Sequence, residues 1–158
     1  MQLLQHRTIH APIRRCFDLV RSIEAHEFTS SVDGRAVAGK ISGLAGLNDT
    51  TTWSARFFGW RFRLKTCVNN FNPPYIFSET LERGLLLEFA HVYSLRALEN
   101  GLVELEDVFM FRSPFGILGA LFDALVLKTI MARVMTARLD GLKRLAEGDG
   151  WQAFVTEA

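Results

Sequence analysis

The stretch LEFAHVYSLRALENGLVELEDVFMF, residues 87–111, decides how the rest of the chain is read. Leu87, Phe89 and Leu95, then Val103, Leu105, Phe109 and Phe111, recur at the two-residue period of strands that bury one face. Glu99, Asn100 and Gly101 interrupt the alternation. As a three-residue hairpin loop they set a register with Tyr93 opposite Asp107 and His91 opposite Phe109. An acid and an imidazole then become diagonal neighbours on an apolar face, within reach directly or through one water. A slip of one residue would turn the whole set to the other face.

The same period runs outward from this hairpin over residues 35–112, punctuated by turn signals. With Phe58 and Gly59 as a two-residue loop, Phe57 faces Trp60, Ala55 faces Phe62 and Trp53 faces Leu64. The other face then holds Ser54, Arg56, Arg61, Arg63 and Lys65. After Pro73 and Pro74, a further strand continues the inward series through Tyr75, Phe77, Glu79 and Leu81. The glycines of residues 39–49 predict bends or bulges.

Upstream, residues 3–10 read as a strand, and Pro12 opens a helix over 13–23 with Ile13, Phe17 and Val20 on one face. A second short helix follows at 24–30. Downstream, Ser113 and Pro114 supply a cap and first turn for a long helix over 117–146. Its first half, with Leu118, Leu121, Phe122 and Leu125, is apolar nearly all round and is expected to lie against a large apolar surface. Its second half brings Arg133, Arg138, Lys143 and Arg144, expected near the helix end and in solvent. Trp151 and Phe154 are expected to dock the tail.

At 158 residues with 49% hydrophobic and 22% charged residues, the chain is expected to form one domain over 1–158 with a core that needs no disulfide or metal. A formal net charge of +1 gives no global field for nucleic acid, so none is expected as a partner. Cys16 and Cys67 make no disulfide framework, and the first residues lack a secretory pattern, so a cytoplasmic location is expected. Residues 115–127 are too short and too interrupted by Asp123 for a bilayer span, although peripheral membrane contact stays open. Monomer and homodimer are both compatible with the sequence.

The candidate site is a set of polar groups, Tyr75, Glu79, His91, Tyr93 and Asp107, on an otherwise apolar wall. The wall would be built from Trp53, Phe57, Phe62, Phe77, Phe89 and Phe109 on the strands, and from Leu118, Phe122 and Leu125 on the helix. Few directional groups among many apolar ones suit the orientation of a bound ligand. The alternative is an internal network that satisfies itself. His91 with Asp107 or Glu79 could also exchange protons, but no activated nucleophile stands out. His6 and His10 are about 13 Å apart in a strand and make poor partners for one ion, so no metal and no cofactor are expected. Cys16 reads as a packing residue and the basic strand face as solvated exterior. Phe58 could guard an opening or touch a membrane or partner. Gly116 and Gly119 could loosen the start of the long helix or permit close packing there.

Residues 9–12 (IHAP), 43–74 (GLAGLNDTTTWSARFFGWRFRLKTCVNNFNPP), 77–84 (FSETLERG) and 106–125 (EDVFMFRSPFGILGALFDAL) together resemble the START-like helix-grip, or SRPBCC, superfamily, closest to its bacterial polyketide cyclase/dehydratase-like group. The resemblance covers essentially the whole chain. It implies an α+β fold in which a curved antiparallel sheet of about seven strands wraps around a long C-terminal helix, with two short helices after the first strand. It also implies an internal cavity for a small hydrophobic or amphipathic molecule, and in some relatives cyclase or dehydratase chemistry. The chain departs from relatives that alternate two histidines in the sixth strand, having Phe89 before His91.

Overall fold

The computed structural model describes residues 1–156. The hairpin expected around Glu99–Gly101 forms from β6 (Glu88–Ala97) and β7 (Leu102–Arg112), joined by a 3-10 turn at Glu99–Gly101. Its register pairs Tyr93 with Asp107 and His91 with Phe109, as the alternation demanded. Asn100 and Gly101 both take positive φ in that turn, a conformation that Asn and Gly adopt most readily.

Five more strands complete one antiparallel sheet: β1 (Gln2–His10), β2 (Gly34–Gly39), β3 (Thr50–Phe57), β4 (Trp60–Asn72) and β5 (Ile76–Arg83). Their order is β1-β7-β6-β5-β4-β3-β2. The β3–β4 hairpin has Phe57 opposite Trp60, Ala55 opposite Phe62 and Trp53 opposite Leu64. Register shifts within β2 and twice within β4 bend the sheet. Two short helices follow β1: α1 (Ile13–Arg21), preceded by Pro12, and α2 (Ile23–Thr29), capped by the Ser22 hydroxyl, which accepts from the Ala25 N–H.

The C-terminal helix is continuous but not uniform. It begins as α3 (Gly116–Phe122), passes through one π-helical turn at Asp123–Leu127, and continues as α4 (Lys128–Glu147). Met135, Leu139 and Leu142 of α4 join Phe17, Leu19, Tyr93, Leu105 and neighbours in the cores over the concave sheet face. Trp151 and Phe154 pack against the larger core, docking the tail as expected.

Four expectations are corrected. Ser113 and Pro114 do not cap the helix: Phe115, at φ 76, precedes α3 without a side-chain cap, and Ser113 instead binds Asp123. The first half of the helix does not bury its apolar residues, because it meets the body through Gly119 and Asp123 while Leu118, Leu121, Phe122 and Leu125 stay exposed. Arg138 is not in solvent. It falls on the stripe of Met131, Met135 and Leu142 and is only 3% exposed. Tyr75 does not continue the inward series: it lies before β5 in a turn, its N–H bonded to the Asn72 carbonyl, and is exposed.

Candidate functional site

The centre of the concave sheet face holds His91 and Asp107, with His91 Nε2 2.5 Å from Asp107 Oδ1. Strand alternation puts both groups inward, and the diagonal offset of the β6–β7 register brings them together. Phe89, Tyr93 and Phe109 surround the imidazole, with ring centroids 4.4 to 6.3 Å away. Asp107 is 0% exposed, and its Oδ2 has no hydrogen-bond partner among the described residues.

A second polar group, missed by the sequence reading, lies beside this pair. Arg138 Nε donates to the Tyr93 hydroxyl at 2.8 Å, and its two terminal nitrogens donate to Thr29 Oγ1 and the Val20 carbonyl, each at 2.9 Å. The guanidinium fork thereby ties α4 to α1, α2 and β6 at once. The signal that could have found it was helical phase, since Arg138 lies three residues after Met135 and four before Leu142. At this position helical phase prevails over the preference of positive charge for a helix end and solvent.

Glu79 faces His91 across the β5–β6 pair, and the Thr66 hydroxyl donates to its Oε1 at 3.4 Å. Burial raises the Glu79 carboxyl above the ordinary range, against the opposing pull of His91, Arg138 and that hydroxyl. Burial likewise pushes the Tyr93 phenol up. His26 packs against Trp53 with the rings tilted by 33° and 4.4 Å between centroids, and burial, reinforced by Arg138 and His91, holds its imidazole well below the usual value. Cys16 is pushed up to about 12 by burial, which argues against a reactive thiolate.

The structure therefore brings together Phe77, Glu79, Phe89, His91, Tyr93, Asp107 and Phe109 on one surface. Trp53, Phe57 and Phe62 extend that surface along β3 and β4, where they are half-buried. Leu118, Phe122 and Leu125 lie outside it on the exposed start of the helix, and Tyr75 is turned away. A small recess bordered by His26, Trp53, Phe77, Glu79, Tyr93 and Arg138 has about 10 Å3, room for about one water. Among the described residues, no three His, Cys, Asp or Glu side chains are placed to hold a metal ion, and no helix is long and apolar enough to cross a membrane.

No protein-family model and no curated protein sequence matches the chain. Solved structures do. A protein of Thermus thermophilus aligns with a TM-score of 0.74 at 16% identity, over 97% of this chain and 98% of the other. A START superfamily protein of Mycobacterium smegmatis aligns at 0.69 and 11%, over 92% and 97%. The Zhui aromatase/cyclase of a Streptomyces species aligns at 0.68 and 10%, over 95% and 98%. The chain has the START-like helix-grip fold. At these identities the likeness extends to architecture, and a helix-grip scaffold does not by itself specify a reaction.

Proposed function

We propose that the chain acts as a single domain that reversibly binds a small hydrophobic or amphipathic molecule between the sheet and the C-terminal helix, for carriage or sensing. The observation that supports this most is the unpartnered Oδ2 of the fully buried Asp107. A buried acceptor left unmade costs about 1–3 kcal/mol, more when charged. A ligand hydroxyl or amide donor, or a water that a ligand displaces, would offset that cost. His91, Glu79 and Tyr93 lie beside it to orient the ligand's polar end, and Arg138 holds Tyr93 in place.

The recess beside Glu79 and Tyr93 is far smaller than the roughly 300–1,000 Å3 that a drug-sized ligand needs. Uptake therefore requires movement. The helix start is suited to it: α3 is tied to the body through the Ser113–Asp123 hydrogen bonds, its apolar side chains are exposed, and Phe122 meets the β3–β4 tip at Phe58, 6.4 Å between ring centroids. Separating helix start and hairpin would open the half-buried faces of Trp53, Phe57 and Phe62 to a ligand. Burial of its apolar body would then contribute about 25 cal/mol per Å2 before association costs.

Native mass spectrometry and organic extraction of freshly purified protein test this reading, followed by titration of any recovered molecule. Asp107→Asn and His91→Gln should weaken its binding by about five- to thirtyfold, the loss of one or two buried hydrogen bonds. Unchanged affinity in both variants would sink the assignment of the polar handles. A second reading, general acid/base catalysis of a cyclase or dehydratase type, draws on the 2.5 Å His91–Asp107 contact, because a carboxylate at one ring nitrogen orients the other to accept a proton. It predicts that His91→Gln retains binding and abolishes turnover of aromatic or polyketide-like compounds.

A further inference from the structure

We propose that the end of the molecule formed by α3, the π-helical turn and the β3–β4 hairpin tip docks on an anionic bilayer surface. The sheet topology gathers several segments at this end. The β3–β4 tip, the β5–β6 turn and the end of β7 all lie there, because each neighbouring strand runs antiparallel to the last. The helix starts at the same end, and the Phe58–Phe122 contact joins it to the hairpin tip.

The amphipathicity of α3 is inverted. The buried positions are Gly119 of α3 and Asp123 of the π-helical turn that follows it, four residues apart on one side. Gly119 is there because a Cβ would meet the Pro114 carbonyl oxygen at 1.9 Å. Asp123 is there because its carboxylate accepts from the Ser113 N–H and hydroxyl. The side chains left outside are Phe115 at 83% exposure, Ile117 at 88% and Leu118 at 73%, and the hairpin adds Trp60 at 74%. These are projecting ends rather than a groove, and Trp beside apolar residues is the composition of a surface that enters the headgroup boundary. Scattered single apolar residues need no explanation, but two adjoining elements that both turn theirs outward do.

Charge selects the partner. The carboxylates around this end are already matched: Asp33 by Arg61, Glu82 by Lys65 and Glu88 by Arg112. Arg56, Arg63, Arg83 and Lys128 have no carboxylate partner among the described residues. A second copy docked face to face through this end would bring the same free cations together, which is unfavourable. Anionic lipid headgroups complement them, while the apolar tips enter the acyl boundary.

Co-sedimentation with vesicles of phosphatidylcholine, alone and mixed with phosphatidylglycerol, tests the proposal on the protein without added ligand. Binding to the mixed vesicles is expected, with a blue shift of tryptophan emission that disappears in Trp60→Phe. Ile117→Ser with Leu118→Ser should lower retention at least about tenfold, and Arg63→Gln and Arg83→Gln about fivefold each, with added salt acting in the same direction. These positions are exposed, so circular dichroism and thermal melting should match the parent. Failure to bind mixed vesicles overturns the proposal, as does equal retention on both compositions or unchanged retention of the apolar double variant. Concentration-dependent dimerisation that the same double variant abolishes, without vesicle binding, would assign the face to self-association instead. None of these readouts depends on an internal ligand, so the docking surface and the binding reading stand or fall separately.

Discussion

Arg138 is a buried cation whose hydrogen-bonding partners are all neutral acceptors, the Tyr93 and Thr29 hydroxyls and the Val20 carbonyl. Arg138→Met would fill similar space but leave those groups unpaired, and chemical denaturation should show a loss of roughly 2–4 kcal/mol. Arg138→Lys should restore only part of it, because an ammonium lacks the planar fork that reaches three directions. His26 makes a separate prediction about pH. Its folded imidazole is held neutral below its ordinary value, whereas the unfolded chain takes up a proton near pH 6.5. Its contribution is therefore fully present above about pH 6.5 and is lost as pH falls from there through the lowered folded value, by no more than about 1.4 kcal/mol per pH unit. Glu79 has the opposite slope: its raised carboxyl contributes fully below the ordinary glutamate range and less as pH rises through the folded value. Comparing stability of the parent and His26→Gln across this range isolates the histidine, and identical slopes would show that His26 is not the titrating group.

At the scale of elements, two close approaches decide how the helices sit. Gly141 of α4 lies against Thr29 of α2, where a Cβ would come within 2.9 Å of the threonine side chain. Gly141→Ala gains helix propensity but pushes apart the two helices that Arg138 also bridges, so a net loss of about 1–2 kcal/mol is expected in denaturant titrations. The Asp123 carboxylate holds the π-helical turn to the end of β7. Asp123→Ala should raise amide hydrogen exchange over residues 116–127 well above the parent while leaving β6, β7 and the second half of α4 protected. Equal exchange would mean that other contacts anchor the helix start. The strands were legible because alternation and turn chemistry agree in both hairpins, and a register wrong by one residue would have exposed all of Phe109, Phe111, Leu105 and Val103. At the helix start an apolar composition does not translate into burial, because the side that meets the body is made of Gly119 and Asp123.

For the whole molecule, the helix-grip architecture places the polar set at the middle of a concave wall and leaves the two ends of the sheet differently covered. The helices pack on β1, β5 and β6, and α2 reaches β2, while the inner face of the β3–β4 hairpin is half-buried. On the proposed binding reading, a ligand taken up between sheet and helix stabilises the folded state by mass action. A true ligand at about a hundred times its dissociation constant adds about 2.7 kcal/mol, which for a chain of this size raises the melting temperature by roughly 5–10 °C. Compounds that leave the melting temperature unchanged at such excess do not bind the folded protein more tightly than the unfolded one.

Local pattern determined the strand series, the two hairpin registers and the inward placement of His91, Asp107 and Glu79. Each of these follows from periodicity and turn residues over a span of ten to twenty residues, the range in which sequence and backbone geometry are directly coupled. Tertiary structure alone decided which side of the helix start faces the body, that Arg138 rather than Tyr75 joins the polar centre, and that Asp107 keeps one oxygen without a partner among the described residues. Those outcomes depend on how segments far apart in the chain share space: Val20 and Thr29 must arrive together to receive Arg138, and Ser113 must meet Asp123 before the apolar residues between them can be left outside.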